Sequence, residues 1–216
     1  VTWSNAPANR TIAIAWMSNW EYANDVPTMQ YRSANSVPRD LYLYEQDGET
    51  YLASVPSEEL LALRDKPVKK GSFKVNKVRE VKKLLKENSG AYEIEVKVKN
   101  VNANEFGFQL YNSKGEEVSF SYNLSTKQFS MDRTQSGKTS FSKHFAAVTS
   151  APIKQQGTYT LRLLIDKCSI EAFDGDGKFA MTNLVFPSEP YNDMKFYSKD
   201  GSCQVISLNV YQLNKK

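Results

Sequence analysis

Apolar and polar residues alternate along most of the second half of the chain. Residues 91–99 place an apolar side chain at every second position, and residues 106–110 do the same. A period of two is typical of a strand with one buried and one solvated face. Similar runs recur after short turn signals, at 158–165, 169–173, 179–186 and 203–213. This spacing predicts an antiparallel β-sandwich.

The first 55 residues have a different pattern. Residues 12–17 are nearly all apolar, which predicts a strand buried on both faces. Residues 41–44 and 50–53 flank Asp47-Gly48, a strong signal for a β-hairpin. About four strands are expected here, and one small sheet of this kind needs a neighbour to cover it.

The segment between these two regions is polar and basic. Residues 56–64 begin like a short helix that Ser57 caps, and Pro67 ends it. Residues 66–86 hold nine Lys or Arg against Glu80 alone, a local net charge of +8. Their only aromatic residue is Phe73, so a solvated connection is favoured over a nucleic-acid surface.

Residues 78–85 leave two alternatives open, since their apolar positions suit either a helix or an irregular edge strand. We therefore expect three parts in the chain. These are a small β-sheet unit at 1–55, a linker at 56–76 and a sandwich at 77–216.

Composition excludes several classes of protein. The 216 residues are 40% hydrophobic, which is enough for a packed core. The apolar runs are too short for a membrane helix, and the N-terminus lacks a signal-peptide pattern. Since the chain also lacks a starting Met, we expect a processed or excised piece of a longer protein.

The counts of histidine and cysteine narrow the chemistry. His144 is the only histidine, which excludes a His-rich metal site, and its surroundings indicate an ordinary strand or loop edge. Cys168 and Cys203 lie in apolar stretches, so we expect buried free thiols, with one disulfide between them as the alternative.

Two acidic segments are candidates for chemistry. Glu21 and Asp25 lie in a polar and aromatic loop with Trp20 and Tyr22, a combination that suits either a sugar site or an aromatic packing cluster. Residues 174–177, Asp-Gly-Asp-Gly, lack the further acidic ligands of a calcium loop and favour a hairpin turn. Phosphate-binding, dinucleotide-binding, zinc-protease and serine-hydrolase motifs are absent from the sequence.

Several of these segments resemble glycoside hydrolase family 32, the levanases, inulinases and invertases. The stretch 14–22, Ile-Ala-Trp-Met-Ser-Asn-Trp-Glu-Tyr, followed by Val-Pro-Thr at 26–28 and by residues 32–41, is similar to the last propeller blade of that family. Residues 56–64 resemble its inter-domain linker. The resemblance to the family's C-terminal sandwich rests on Asp132-Arg133, Ser136-Gly137, Ile170-Glu171-Ala172-Phe173, Gly177, Thr182 and Val185-Phe186-Pro187.

This resemblance implies an all-β chain, in which an antiparallel sandwich follows the last blade of a five-bladed β-propeller. It also implies retaining hydrolysis of β-fructofuranosides without a cofactor or a metal. The family places its catalytic groups in Asn-Asp-Pro, Arg-Asp-Pro and Glu-Cys motifs. Here Asn192-Asp193 precedes Met194 and Arg39-Asp40 precedes Leu41, while neither cysteine follows a Glu. We therefore expect no catalytic residue in this chain and no activity from it alone.

The resemblance assigns a narrower role to Trp20 and Asn19. Both match last-blade positions that approach the fructose pocket in the family, where a Trp face stacks on the sugar. Glu21 matches a motif position that is not catalytic.

The leading hypothesis is the C-terminal part of a β-fructosidase acting on levan, inulin or sucrose, with the sandwich buttressing the propeller. The alternative is a fructan-binding sandwich module, although Trp3, Trp16 and Trp20 all lie outside the sandwich.

The expected partners follow from this hypothesis. They are the fructan or sucrose substrate, the rest of the propeller in the same chain, and a second copy through the uncovered blade; nucleic acid and membrane are not expected. An extracellular or periplasmic location is what the resemblance implies.

Overall fold

The computed structural model describes residues 1–32 and 34–214, and these form two β-rich parts. The N-terminal part has three strands, β1 (Thr11–Ala13), β2 (Arg39–Gln46) and β3 (Glu49–Pro56), in the order β1-β2-β3. A turn at Asp47-Gly48 joins β2 to β3, and both residues have positive φ, as a tight hairpin turn requires. The hairpin expected from the sequence is thus confirmed.

The larger part contains eleven strands. They are β4 (Val68–Lys69), β5 (Phe73–Val81), β6 (Tyr92–Lys99), β7 (Glu105–Tyr111), β8 (Glu117–Asn123), β9 (Gln128–Gln135), β10 (Val148–Pro152), β11 (Thr158–Asp166), β12 (Ser169–Asp174), β13 (Ala180–Leu184) and β14 (Asp193–Gln212). All of their pairings are antiparallel, in the order β10-β9-β8-β7-β14-β6-β11-β12-β13, with β4 and β5 also against β14.

Strand β14 divides this set into two layers. Its first half pairs with β7 and its second half pairs with β6, while β5 follows it along both halves. Gly201 allows the bend between the halves, since its φ is +147° and a Cβ there would lie 2.4 Å from the carbonyl oxygen of Asn102. The predicted antiparallel sandwich is confirmed.

The core lies between the two layers and is rich in aromatic rings. Phe106 and Tyr122 from one layer pack on Tyr159 from the other, with ring centroids 5.1 and 5.2 Å apart. Leu163 and Ile170 are completely buried beside them. These residues are the apolar half of the period-two pattern, which therefore directs one face of each strand inward.

Several sequence expectations need correction. The N-terminal part has three strands rather than about four. The strand expected at 12–17 ends at Ala13 and is only partly buried; β2 pairs with one side of it, and Thr2 forms a bridge to Ala13 on the other. The helix alternative for 78–85 is wrong, since these residues continue β5 and then form a loop. The expected helical cap at Ser57 is also wrong, because residues 58–63 form a 3₁₀ helix and Ser57 makes no capping hydrogen bond.

The segment 56–76 contains regular structure of its own. Besides that 3₁₀ helix, it includes β4 and the beginning of β5, which pair with β14 of the sandwich. Among residues 1–32 and 34–214, no helix is long and apolar enough to cross a membrane.

Part of the outer face of the sandwich layer that contains β6 is covered by the N-terminal part and this segment. The alternation in β6 predicts that Glu93 lies on a solvated face, but its side chain is completely buried. Arg64 from the segment and Arg162 from β11 both pair with its carboxylate. The face of β6 that the alternation predicts to be solvated is buried at Glu93, because residues distant in sequence fold over it.

Candidate functional site

Trp20 lies at the exposed tip of a turn in the N-terminal part. Its side chain is 82% exposed, and its ring packs on that of Trp16 with centroids 4.9 Å apart. Asn19 shapes the same turn, since its Oδ1 accepts a hydrogen bond of 2.9 Å from the backbone N–H of Glu21. The turn thus presents an aromatic face beside amide and carboxylate groups, which is the composition of many sugar-binding surfaces.

The other end of this turn is anchored in the sandwich. Tyr22 is buried and packs edge-on against Phe145, with centroids 5.3 Å apart. The buried Arg133 of β9 donates a hydrogen bond of 3.2 Å to the Tyr22 hydroxyl, and its guanidinium lies 4.2 Å from the Phe145 ring centre. One residue, Glu21, therefore separates the exposed Trp20 from the packed anchor at Tyr22.

The turn at residues 143–145 of the sandwich lies beside the exposed tip. His144 is in this turn and exposed, with its Nδ1 3.9 Å from Oε1 of Glu21. The prediction that it lies at a strand or loop edge is confirmed. Glu21 and Asp25 are both exposed, so neither lies in the buried, desolvated setting that is typical of a catalytic acid.

A second anchor joins the hairpin to β12. Glu171 is buried, and its carboxylate accepts hydrogen bonds from the backbone N–H of Val37, at 2.7 Å, and from Arg39. Arg39 also donates to the Thr182 hydroxyl and stacks 4.9 Å from the centre of the Phe173 ring. The charge on Glu171 is therefore paired and hydrogen-bonded rather than free for chemistry.

Asp40, which follows Arg39 in the chain, is engaged in another ion pair. Arg10 donates to its carboxylate at 2.6 Å and also reaches Glu59 at 2.6 Å. The hydrogen bond from Arg10 lowers the pKa of Asp40. The same contact with Asp40 is the main cause of the raised pKa of Arg10.

Residues 174–177 form a turn, as expected. Asp174 is mostly buried, and its Oδ1 accepts a hydrogen bond of 2.6 Å from the backbone N–H of Lys178. Burial raises the pKa of this carboxyl group. Residues 1–32 and 34–214 hold no group of three or more His, Cys, Asp or Glu side chains placed to bind a metal ion.

The two cysteines are buried free thiols, which confirms the first of the two alternatives. Cys168 lies against the hydroxyl group of Tyr31, and this contact is the main cause that raises the pKa of Tyr31 to about 12. Burial raises the pKa of the Cys203 thiol to about 11, so it is protonated and unreactive at neutral pH.

A cleft of about 330 Å³ lies beneath the N-terminal part, away from Trp20. Met17, Val37, Leu63 and Leu164 line much of it. Glu171 also borders this cleft, but its oxygens are already bonded to Val37 and Arg39. The cleft is mainly apolar, although Asn35, Asp166 and Asn214 are also among its lining residues.

The anchors are the part of the site that sequence reasoning missed, although their residues lie in the sandwich motifs quoted above. Arg133 and Glu171 bond to the N-terminal part directly, and Gly177 packs against its hairpin. The signal that could have found them was the presence of charged residues within otherwise apolar strands. Such residues are seldom buried unless they are paired.

Comparison with known proteins finds two family models that match successive parts of the chain. The model for "Glycosyl hydrolases family 32 N-terminal domain" matches residues 1–56, and the model for "Glycosyl hydrolases family 32 C terminal" matches residues 59–212. A levanase from Bacillus sp. (strain L7) is 34% identical over 99% of this chain, and a levanase from Bacillus subtilis (strain 168) is 33% identical over 100%. The chain spans only 24% and 32% of these two proteins.

Two solved structures share the fold. The exo-inulinase from Aspergillus awamori is 24% identical with a TM-score of 0.83, over 96% of this chain and 41% of that one. A fructofuranosidase from Schwanniomyces occidentalis, solved with fructosylnystose, is 22% identical with a TM-score of 0.80, over 100% of this chain and 47% of that one.

Proposed function

Because the chain belongs to glycosyl hydrolase family 32, we propose that it is the C-terminal part of a retaining β-fructofuranosidase that hydrolyses levan, inulin or sucrose. The observation that carries this proposal is the match of both family models, in order, over nearly the whole chain. The levanases that align along its full length support fructans as the substrate class. Since those levanases are three to four times longer, the activity belongs to a longer protein.

Retaining hydrolysis needs two carboxyl groups on either side of the scissile bond, one as nucleophile and one as acid and base. The three family motifs that supply these groups are not found in this sequence. The acidic residues nearest to Trp20 are exposed, and the buried Glu171 is held by Arg39. We therefore assign the catalytic groups to earlier blades of the parent enzyme.

Trp20 and Asn19 are the residues we assign to the substrate. An exposed indole face gives a sugar ring an apolar surface, and the amide group of Asn19 can bond to its hydroxyl groups. Trp16 backs the Trp20 ring and fixes its position. This surface forms the rim of a pocket that the other blades complete.

The sandwich has a structural role in this proposal. Arg133 and Glu171 each bond to the N-terminal part, one near the Trp20 turn and one at the hairpin. The sandwich therefore holds the last blade, and with it the substrate rim, in place. We place the two units at 1–55 and 77–216, with 56–76 as the connection that also packs on the sandwich.

A sugar-binding role for the sandwich itself is less favoured. Tyr111 and Tyr197 lie on the outer face of the β7 layer, where a sugar could stack on them. Lys82 lies 4.5 Å from the centre of the Tyr111 ring, and Lys199 lies 5.5 Å from that of Tyr197. One face of each ring therefore already has an ammonium group over it.

The uncovered face of the N-terminal sheet suggests what surrounds it. Leu43 and Leu52 lie opposite each other on β2 and β3 and are mostly exposed. We propose that the preceding blade covers this face in the longer parent protein. In the 216-residue chain alone, the uncovered face would cause self-association. Sedimentation velocity tests the second assignment, which requires dimers or larger species at micromolar concentration that Leu43→Gln with Leu52→Gln removes.

An extracellular or periplasmic location is the corresponding proposal. One relative, 27% identical over 95% of this chain, is described as an "Extracellular exo-inulinase" from Aspergillus awamori. A fructan polymer is also too large to enter a cell intact, so its hydrolysis is expected outside the cytoplasm.

The function is tested by two assays. The 216-residue chain alone should release no fructose from levan, inulin or sucrose above a blank, and release would contradict the absence of catalytic groups. In the longer enzyme, Trp20→Ala should lower kcat/KM on levan about 10- to 100-fold through lost stacking. Trp3→Ala is the matched control and should change it less than about twofold. Equal effects of both variants would exclude Trp20 from the substrate rim.

A further inference from the structure

Four lysines lie on one exposed face of the sandwich. Strand pairing places Lys74 of β5 and Lys99 of β6 on either side of Gln204 of β14, so all three side chains project from the same face. Lys69 lies opposite Asn209, and Lys97 lies opposite Ser207, on that same face. We call Lys69, Lys74, Lys97 and Lys99 the lysine face.

These positive charges are close together. Lys97 and Lys99 are two residues apart on one strand, about 7 Å, and Lys74 is two strand spacings from Lys99, about 10 Å. All four residues lie at the surface. Separations of this size are within or near the Debye length of about 10 Å at 0.1 M salt, so the charges repel one another.

Carboxylates do not neutralise the lysine face. In the part of the chain that the structure describes, none of its four lysines has an ion-pair partner within 4.0 Å. Glu95 is next to Lys97 in the same row, but it binds Arg64 at 2.5 Å and Tyr211 at 3.1 Å. The face therefore keeps a net charge of +4.

Protection of a sheet edge explains only half of this arrangement. Lysines on an edge strand prevent it from pairing with another molecule, and β4 and β5 are edge strands. Lys97 and Lys99 lie on β6, which is central because β14 and β11 pair with it on both sides. Two charges in mid-sheet have no edge to protect, and their repulsion lowers stability.

The chemistry of the face indicates the kind of ligand. It carries ammonium groups without a guanidinium, and ammonium groups neutralise anions as mobile point charges rather than in a fixed two-bond geometry. Gln204 adds an amide group in the middle, held by Asn100 and Ser72. A flat row of point charges suits an extended chain of anions better than one buried anion.

Aromatic stacking is not available on this face. Phe73 turns towards the core and packs on Phe196, with centroids 5.2 Å apart. The Tyr211 ring is covered by the guanidinium of Arg64, 4.2 Å from the ring centre. Binding here would therefore depend on the charge of the ligand and not on contacts with nucleic-acid bases.

We propose that the lysine face is a docking surface for an extended phosphodiester-linked polymer, which it holds through Lys69, Lys74, Lys97 and Lys99. The polymer lies across β5, β14 and β6, on strands other than those that anchor the Trp20 turn. Docking would keep a fructan-degrading enzyme at a polyanionic surface while leaving its substrate rim free.

The test uses a fluorescent abasic phosphodiester 20-mer and fluorescence anisotropy. The 216-residue chain should bind it, with an affinity that falls about 50-fold between 50 and 200 mM salt if four phosphates are contacted. Changing all four lysines of the face to Gln should weaken binding by at least about tenfold at 50 mM salt. The melting temperature of this quadruple variant should not fall, because the change removes repulsion between the four lysines.

The matched control changes Lys114, Lys127, Lys138 and Lys143 to Gln, since these exposed lysines lie in turns or loops elsewhere in the sandwich. Both quadruple variants lose the same net charge, so the control should bind within about twofold of the parent chain. Equal weakening of both variants would overturn the proposal in favour of non-specific attraction, as would no binding by the parent chain.

Two further probes distinguish the polymer. A thymidine 20-mer should bind within about twofold of the abasic one, and tenfold tighter binding would indicate base recognition and overturn the proposal. Polygalacturonate should bind no more tightly than the abasic polymer. A clear preference for this carboxylate polymer would also overturn the proposal.

Discussion

The sandwich and the N-terminal sheet bury their apolar residues in different ways. In the sandwich, both layers turn an apolar face inward, and Phe120, Leu163 and Met194 are completely buried between them. In the N-terminal sheet, Ala53 is completely buried on one face while Leu43 and Leu52, on the other, are 70% and 60% exposed. The first region supplies its own core, whereas the second depends on the sandwich for the only face it buries. The contacts between them therefore decide whether the Trp20 turn has a fixed position.

The largest expected contrast is between two leucines. Leu163→Ala should cost about 3 kcal/mol of unfolding free energy, because it leaves a cavity in the sandwich core. Leu43→Ala should change stability by less than about 0.5 kcal/mol, since that side chain is solvated already. Urea denaturation measures both, and similar losses would contradict the difference between the two regions.

Removing the charge that joins the regions should have nearly as large an effect. Glu171→Gln leaves Arg39 without its carboxylate partner, and losing one member of a buried pair costs about 3 kcal/mol. The loss should appear as faster proteolysis of the hairpin with β6 and β11 still protected. Glu49→Gln, at an exposed hairpin position, is the control and should behave like the parent chain. Uniform loosening of the sandwich would show that Glu171 serves that domain instead.

A smaller effect is expected at Gly177. Its φ is +69°, and a Cβ would lie 2.5 Å from Cγ1 of Val55 and 2.7 Å from the carbonyl oxygen of Ser54. Gly177→Ala should therefore cost about 2 kcal/mol and disturb the hydrogen bond of 2.9 Å from the Ser54 N–H to Gly177. Gly115 also has a positive φ, +76°, but open space surrounds it. Gly115→Ala should therefore lower the unfolding free energy by only about 1 kcal/mol. Equal costs would show that the hairpin does not rest on Gly177.

The smallest effect is a pH dependence confined to the N-terminal part. The hydrogen bond from Arg10 lowers the pKa of Asp40, so the unfolded chain binds a proton more readily than the folded one. This contribution to stability is complete above the unfolded pKa, near 4, and is lost as the pH falls through the lower folded value. Asp40→Asn should reduce this acid sensitivity of the hairpin amides in NMR titrations and leave the part that comes from Glu59, whose pKa Arg10 also lowers. An unchanged profile in that variant would exclude Asp40 as its source.

The fold could be predicted well where one local pattern determined the structure. Alternation in residues 91–99 placed β6 correctly, and Asp47-Gly48 placed the hairpin. The strand at 12–17 was predicted too long, because an apolar run does not say whether a neighbour is present to pair with it. The basic run also misled, since its charges suggested a solvated connection while β5 pairs along both halves of β14.

The candidate site was predictable only in part. The resemblance selected Trp20 and Asn19, whose roles stay predictions, and the structure places both in one exposed turn. Charged residues within apolar strands marked the anchor residues, but their partners were not predictable, because Tyr22 and Arg133 are 111 residues apart and meet only when the two regions dock. The burial of Glu93 was missed for the same reason, since Arg64 reaches it from another segment.

Hydrogen exchange on the intact chain tests the dependence of one region on the other most directly. Amides paired between β2 and β3 should exchange through a separate opening, with a free energy at least about 2 kcal/mol below that of the β6–β11 amides. Glu171→Gln should lower the first value by about 3 kcal/mol and leave the second unchanged. A single opening free energy shared by both sets of amides would contradict the account, because the N-terminal sheet would then unfold only with the sandwich.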